Sequence, residues 1–176
     1  MSIKISYKKE IQEKLVQNYV LFANEDFKIN GLNKLQLGKQ SSQINKIIKS
    51  SYSKKKEFIF FNHNSDQKIV LIKTKHNQTS TENEKKGANF YNFIKLNFLK
   101  NLTFFDVNIS ETQNKNKNFI DEFLHGIQIK SYEFNKYKTK KENSDININV
   151  CFRKKIPNKI KNNRFHSLLE GTNFTK

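Results

Sequence analysis

Side chains that hold a metal, carry a proton or attack an electrophile must sit at short mutual spacing, and few in this chain do. The four histidines, His63, His76, His125 and His166, are scattered, and the single cysteine, Cys151, has no histidine or second cysteine at zinc-site spacing. Each histidine therefore reads as a surface or structural group. Asp121 and Glu122 stand side by side before an apolar run, but acidic residues at a helix start are explained by the partial positive charge of that helix end. Gly31, Gly38, Gly87, Gly126 and Gly171 never come close together, so no loop of converging N–H groups forms to cradle a phosphate. The residues alone assign no catalytic, cofactor-binding or metal-ligating position.

Charge is the other feature with chemical meaning. The formal net charge is +17 across 176 residues, a value that points to nucleic acid or an anionic membrane surface. Lysine supplies nearly all of it. The only arginines are Arg153 and Arg164, whereas phosphate and base recognition favours the bidentate guanidinium fork. Lys, Asn, Ile and Phe make up 91 of the 176 residues, and all four have codons rich in A and U, so a nucleotide bias of the source genome accounts for the charge more simply. The lone cysteine excludes an intrachain disulfide, and no apolar run is long enough for a signal peptide or a membrane span. The sequence reads as cytoplasmic, without a membrane partner.

A hydrophobic fraction of 35% with 16 Phe and 6 Tyr supports a single core. Residues 2–7 alternate Ile3, Ile5 and Tyr7 with polar neighbours, a strand pattern, and residues 18–22 form a second apolar stretch. Residues 24–38 read as a loop. Ile44, Ile47 and Ile48 give a short helix one apolar stripe. Residues 57–61 and 68–73 are strand-like runs joined by a polar connection of hairpin length. The second of these, Ile69-Val70-Leu71-Ile72, is apolar on both faces and belongs inside a sheet covered by helices. Beyond it, residues 81–99 place Phe90, Phe93, Ile94 and Phe98 on one helical face, and residues 103–108 form a strand. Residues 118–134 repeat the helical period through Phe119, Phe123, Leu124 and Ile127. Residues 145–152 alternate as a strand whose polar second face predicts an outer position. This order implies an α/β fold of three layers, with a mixed, mainly parallel sheet flanked by helices and joined by right-handed crossovers. Pro157 ends the last strand, and Ile160, Phe165, Leu168 and Leu169 then follow helical spacing to the end of the chain, a pattern expected of a cut through a longer polypeptide.

One stretch has an order that composition does not explain. Phe123-Leu124-His125-Gly126-Ile127 runs into Ser131-Tyr132-Glu133-Phe134-Asn135-Lys136-Tyr137-Lys138-Thr139-Lys140-Lys141. This resembles the end of the N-terminal domain of the leucyl (cytosol) aminopeptidase family, where an apolar helix with a small-residue step leads into a Ser-Tyr-x-Phe-x-x-Tyr-Lys-Thr-Lys signature. The Ile3/Ile5 strand, the apolar strand at residues 69–72, Lys86-Gly87-Ala88 opening a helix, and Leu169-Glu170-Gly171 follow the same order. The family signature thus falls on Ser131, Tyr132, Phe134, Tyr137, Lys138 and Lys140.

The resemblance implies a macro-domain-like fold over residues 1–157 and the start of an interdomain helix over residues 158–176. It also implies a hexameric parent enzyme that removes N-terminal residues from peptides, using zinc or manganese held in a C-terminal catalytic domain of the same polypeptide. The family's metal-ligand motifs do not occur here, so no catalytic residue carries over, and the chain alone is expected to be inactive. The rival expectation is a stand-alone basic module in which Tyr132, Phe134 and Tyr137 stack on bases while Lys136, Lys138, Lys140 and Lys141 follow the phosphates. A salt titration separates the two. Purely charge-driven binding is expected to be about micromolar or weaker, to fall steeply with salt and to ignore sequence. Loss of binding in Y132A/Y137A at unchanged charge would instead establish stacking.

Overall fold

In the computed structural model the described residues are 3–9, 11–12, 15–26, 28–35, 37, 41–48, 56–75, 77–112, 118–131 and 145–152. Among these residues six strands form one sheet: β1 (Ile3–Lys8), β2 (Asn18–Ala23), β3 (Phe58–Asn62), β4 (Lys68–Lys73), β5 (Asn101–Phe105) and β6 (Ile146–Cys151), in the order β1-β6-β5-β2-β4-β3. All pairings are parallel except the β3–β4 hairpin. The helices are α1 (Ser41–Ile48), α2 (Ser80–Leu96), α3 (Asp106–Thr112) and α4 (Phe119–Ser131). The expected three-layer α/β architecture with a mixed, mainly parallel sheet is what the chain adopts.

The two sheet faces carry separate cores. Val20 and Phe22 of β2, Val70 and Ile72 of β4, Leu102 and Phe104 of β5, and Ile146, Ile148 and Val150 of β6 point to the face covered by α2 and α4. The alternate residues Tyr19, Leu21, Ile69 and Leu71 point the other way, onto Ile44 of α1 and Leu32, Leu35 and Leu37 of the preceding segment. Hence β2 is buried at every position, and β4 is buried from Ile69 to Ile72. Phe22 sits within an aromatic cluster of the larger core. Its ring lies 5.0 Å from Phe119, 5.4 Å from Phe123 and 5.8 Å from Phe104, distances at which aromatic pairs add to simple burial.

Helix α2 starts at Ser80, one residue before the start read from the sequence. Thr79 caps it, accepting from Glu82 N and donating its own N–H to the Glu82 carboxylate at 2.8 Å, the reciprocal arrangement of a capping box. The main-chain and hydroxyl bonds from Thr79 hold the Glu82 carboxyl below its usual range. Lys86-Gly87-Ala88 therefore lies inside the helix rather than opening it. Phe98 is not on the helical face either. The helix ends at Leu96, Phe98 N donates to Lys95 O and Leu99 N to Ile94 O. That is a Schellman ending, with Phe98 at the left-handed position (φ 53°) usually held by glycine, its ring 86% exposed.

Three other expectations are corrected. The strand placed over residues 103–108 is β5 at Asn101–Phe105, and the chain turns directly into α3 at Asp106. β6 is not an outer strand: it lies between β1 and β5. Its polar face, with Asn147 exposed, arises because the second core lies under β2, β3 and β4 and reaches β5 only at Phe105. In α1, Ile44 is buried whereas Ile47 is 37% exposed, so the stripe is narrower than its spacing implies. The residues after Phe152 lie outside the described residues.

Two glycines bring α2 and α4 together. A Cβ on Gly87 would lie 1.9 Å from Phe123 O, and one on Gly126 would lie 1.9 Å from Glu84 O. Each contact is with main chain, which cannot rotate aside, so any side chain would push the helices apart. Gly87→Ala and Gly126→Ala are each expected to destabilise the fold by about 2–4 kcal/mol in urea unfolding. An unchanged midpoint for either variant would contradict this account of the helix crossing.

Candidate functional site

In open α/β sheets a ligand crevice forms at the carboxyl ends of the strands, between neighbours whose onward connections leave on opposite faces. Here that point lies between β2 and β5. From Ala23 the chain passes to the face of α1, and from Phe105 it passes to the face of α4. The register between the two strands runs only from Asn18↔Leu102 to Val20↔Phe104, after which they part.

A side-chain amide fills the parting. Phe22 N donates to Asn108 Oδ1 at 2.6 Å, and Asn108 Nδ2 donates to Phe22 O at 3.1 Å and to Asn30 O at 2.9 Å. Asn108 thus continues the β5 ladder with its side chain for one more residue. The Thr112 hydroxyl adds a longer contact to Phe22 O at 3.5 Å. On the other side of β2, Thr74 N and Oγ1 both donate to Ala23 O, at 2.8 and 3.1 Å. Asn108, Thr112 and Thr74 are all buried. These groups are neutral and satisfy the main chain of β2, so they bind backbone and offer no acid, base or nucleophile.

Among the described residues, several other reactive groups make structural contacts. Burial pushes the Cys151 thiol up to about 11; Asp106 acts in the same direction and Lys8 against it. Its nucleophilic thiolate is therefore scarce at neutral pH. Burial likewise pushes the Tyr7 phenol up to about 12, with Asp121 adding to the shift. Lys86, on α2, reaches Glu57 at 2.5 Å and Lys73 O at 2.9 Å, tying the helix to the β3–β4 hairpin.

His125 Nδ1 lies 2.9 Å from Glu84 Oε1, so the buried histidine spans α4 and α2 beside Gly126. Glu122 accepts from Ser80 Oγ at 2.6 Å and from Asn83 Nδ2 at 2.8 Å. It joins the two helix starts as well as complementing the α4 dipole. His63 packs edge-on against Tyr19, while His76 and His166 lie outside the described residues. No three His, Cys, Asp or Glu side chains among the described residues converge in a way that would hold a metal ion.

Of the family signature, only Ser131 is described. It is the last residue of α4, and its hydroxyl donates to Gln128 O at 2.8 Å. Tyr132, Phe134, Tyr137, Lys138 and Lys140, and the proposed nucleic-acid contacts Lys136 and Lys141, lie outside the described residues. Asn108 is the residue that sequence reading misses. Its one signal is an Asn at the end of a β-type run, and in a chain with 25 asparagines that signal does not stand out.

The fold has counterparts among solved structures. A macrodomain mutant from Oceanobacillus iheyensis matches with a TM-score of 0.64 at 14% identity, over 96% of this chain and 93% of that one. The macrodomain of Thermus aquaticus DarG matches with a TM-score of 0.57 at 12% identity, over 85% and 99%. A mutant of tomato leucine aminopeptidase matches with a TM-score of 0.61 at 15% identity, over 91% of this chain but only 34% of the enzyme. The present chain thus spans about a third of that aminopeptidase. No protein-family model matches the sequence, and no curated protein does. What these likenesses establish is a macro-like α/β fold. No helix among the described residues is long and apolar enough to cross a membrane.

Asn108→Ala strips the partner from Phe22 N–H and from Asn30 O in a buried setting, and is expected to cost about 2–4 kcal/mol in urea unfolding. Thr112→Val, which removes only a long contact, is expected to cost under about 1 kcal/mol. Equal effects from the two variants would show that the amide is not what holds β2 where β5 leaves it.

Proposed function

We propose that the chain is the non-catalytic N-terminal domain of a metal-dependent leucyl aminopeptidase, serving assembly and shielding of an active site carried elsewhere in the same polypeptide. The observation that carries this reading is the filled switch point. Where an α/β sheet of this type would open a crevice, the described chain places the Asn108 amide and the Thr112 hydroxyl on its own backbone. These two side chains are spent on the joint between strands, in keeping with a non-catalytic role. Its likeness to about a third of tomato leucine aminopeptidase and the signature beginning at Ser131 support the same reading. Zinc or manganese, and the hydrolysis of peptides, would then belong to the C-terminal catalytic domain, as the family resemblance implies. Such ions would activate water and polarise the scissile carbonyl there.

The alternative, a stand-alone basic module that binds nucleic acid, is favoured by the +17 charge and by Lys136, Lys138, Lys140 and Lys141 among aromatic residues. The nucleotide sequence downstream of Lys176 discriminates between the two. An in-frame continuation carrying metal-ligand motifs is the outcome expected for the aminopeptidase reading, and an immediate stop favours the alternative. For the 176-residue chain itself, no hydrolysis of leucine anilides above blank is expected with zinc, manganese or cobalt added. Turnover that scales with protein concentration would overturn the non-catalytic assignment.

A further inference from the structure

The two outer strands of the sheet are built differently. β1 alternates Ile3, Ile5 and Tyr7 with exposed Lys4, Ser6 and Lys8, and lysines along an edge discourage pairing with another chain. β3, at the opposite edge, reads Phe58-Ile59-Phe60-Phe61-Asn62, with no charge and no proline. Its side chains are apolar on both faces. Phe58 packs against Phe90 and Phe93, whereas Phe60 is 37% exposed and touches Phe93 at 6.1 Å with the Lys68 ammonium 5.5 Å above its ring.

The hydrogen-bonding phase of β3 is fixed by its hairpin. Glu57 O accepts from Lys73 N at 2.9 Å and His63 N donates to Gln67 O at 2.8 Å. Odd-numbered residues between them therefore turn their main-chain groups towards β4, while Phe58, Phe60 and Asn62 turn theirs outward. No strand among the described residues pairs with that outer side.

We propose that β3 is a homodimerisation edge, at which two copies of this chain pair antiparallel about a two-fold axis through Phe60. The sequence of the strand is complementary to itself in that register. Phe60 faces its own copy, and Phe58 and Asn62 face each other twice, so each facing pair joins outward residues and exchanges two N–H···O bonds. Just beyond, Glu57 of one copy comes opposite His63 of the other, and no like charges are opposed from residue 57 to residue 63. The exposed Phe60 rings are covered, and the two sheets become one. A two-fold pair is also the commonest closed arrangement of identical chains. The net charge of +17 on each copy opposes association, so screening by salt should strengthen the dimer. An acidic peptide added to the same edge would show the opposite salt dependence.

Sedimentation velocity of the 176-residue chain, from about 5 to 500 µM, is expected to show a monomer–dimer equilibrium with a Kd of roughly micromolar order. It should tighten as sodium chloride is raised from about 50 to 500 mM. As protein concentration rises, amide hydrogen exchange should slow at Phe58, Phe60 and Asn62 but not at Ile59 and Phe61. Phe60→Lys sets like charges across the axis and should weaken the dimer at least about tenfold with an unchanged circular dichroism spectrum. Should that variant fail to fold, a second pair decides: Phe60→Cys is expected to cross-link under mild oxidant, and Asn62→Cys, which faces residue 58, is not. A monomer at every concentration and salt would overturn the proposal. So would association weakened by salt, slowing not confined to the three outward amides, or equal cross-linking of the two cysteine variants.

Discussion

The helix layer rests on a contact between main chains. At Gly87 and Gly126 the helices α2 and α4 meet with no side chain between them, and the close approach sets how far each can stand from the sheet. Phe90 and Phe123, whose rings lie 5.5 Å apart, come from the two helices and reach into the same space above Phe22 and Phe104. The polar links across the seam, His125 to Glu84 and Glu122 to Ser80 and Asn83, require the same short separation. A wider crossing would break these bonds and open a void in the core, where even small gaps are costly.

The sheet has a matching weak point, where β5 abandons β2 and exposed main-chain groups would be left in a buried place. One asparagine resolves it by presenting, in a side chain, the donor and acceptor that a strand would have supplied. The consequence reaches beyond stability. The same amide fixes where the chain after β5 stands relative to β2 and to Asn30, within a fold shared with macrodomains.

Periodicity revealed the elements whose burial is regular. β2, β4, α2 and α4 carry apolar residues at the spacing of their own geometry, and so does the β3–β4 hairpin, and all were legible as strands, helices or apolar runs. The failures came where a local bond outweighs the pattern. Phe98 continues the helical stripe of α2 in sequence, yet the Schellman ending turns it outward. Residues 106–108 continue the strand-like stretch in sequence, but Asp106 starts a helix. β6 looked peripheral because its Asn147 face is wet, although sheet order depends on pairing with β1 and burial depends on what lies beneath. The switch-point site was the least legible part. It is made by residues some 80 positions apart, Phe22 and Asn108 being separated by 86, and no spacing within a window contains it.

The pairing of β1 with β6 has a consequence for the order in which the fold is completed during synthesis. Ser6 and Asn149 touch across 143 positions, against 46 between Asn101 and Asn147 on β5 and β6. Closing the longer loop costs about 1 kcal/mol more in chain entropy. At ribosomal speed, β1 waits on the order of ten seconds or more for its partner strand to emerge. Made well before its partner, β1 is thus among the last of these strands to dock, and it spends that interval as an unpaired segment in which Lys4 and Lys8 alternate with Ile and Tyr. The same lysines that guard the finished edge would keep the nascent strand from seeking the wrong neighbour.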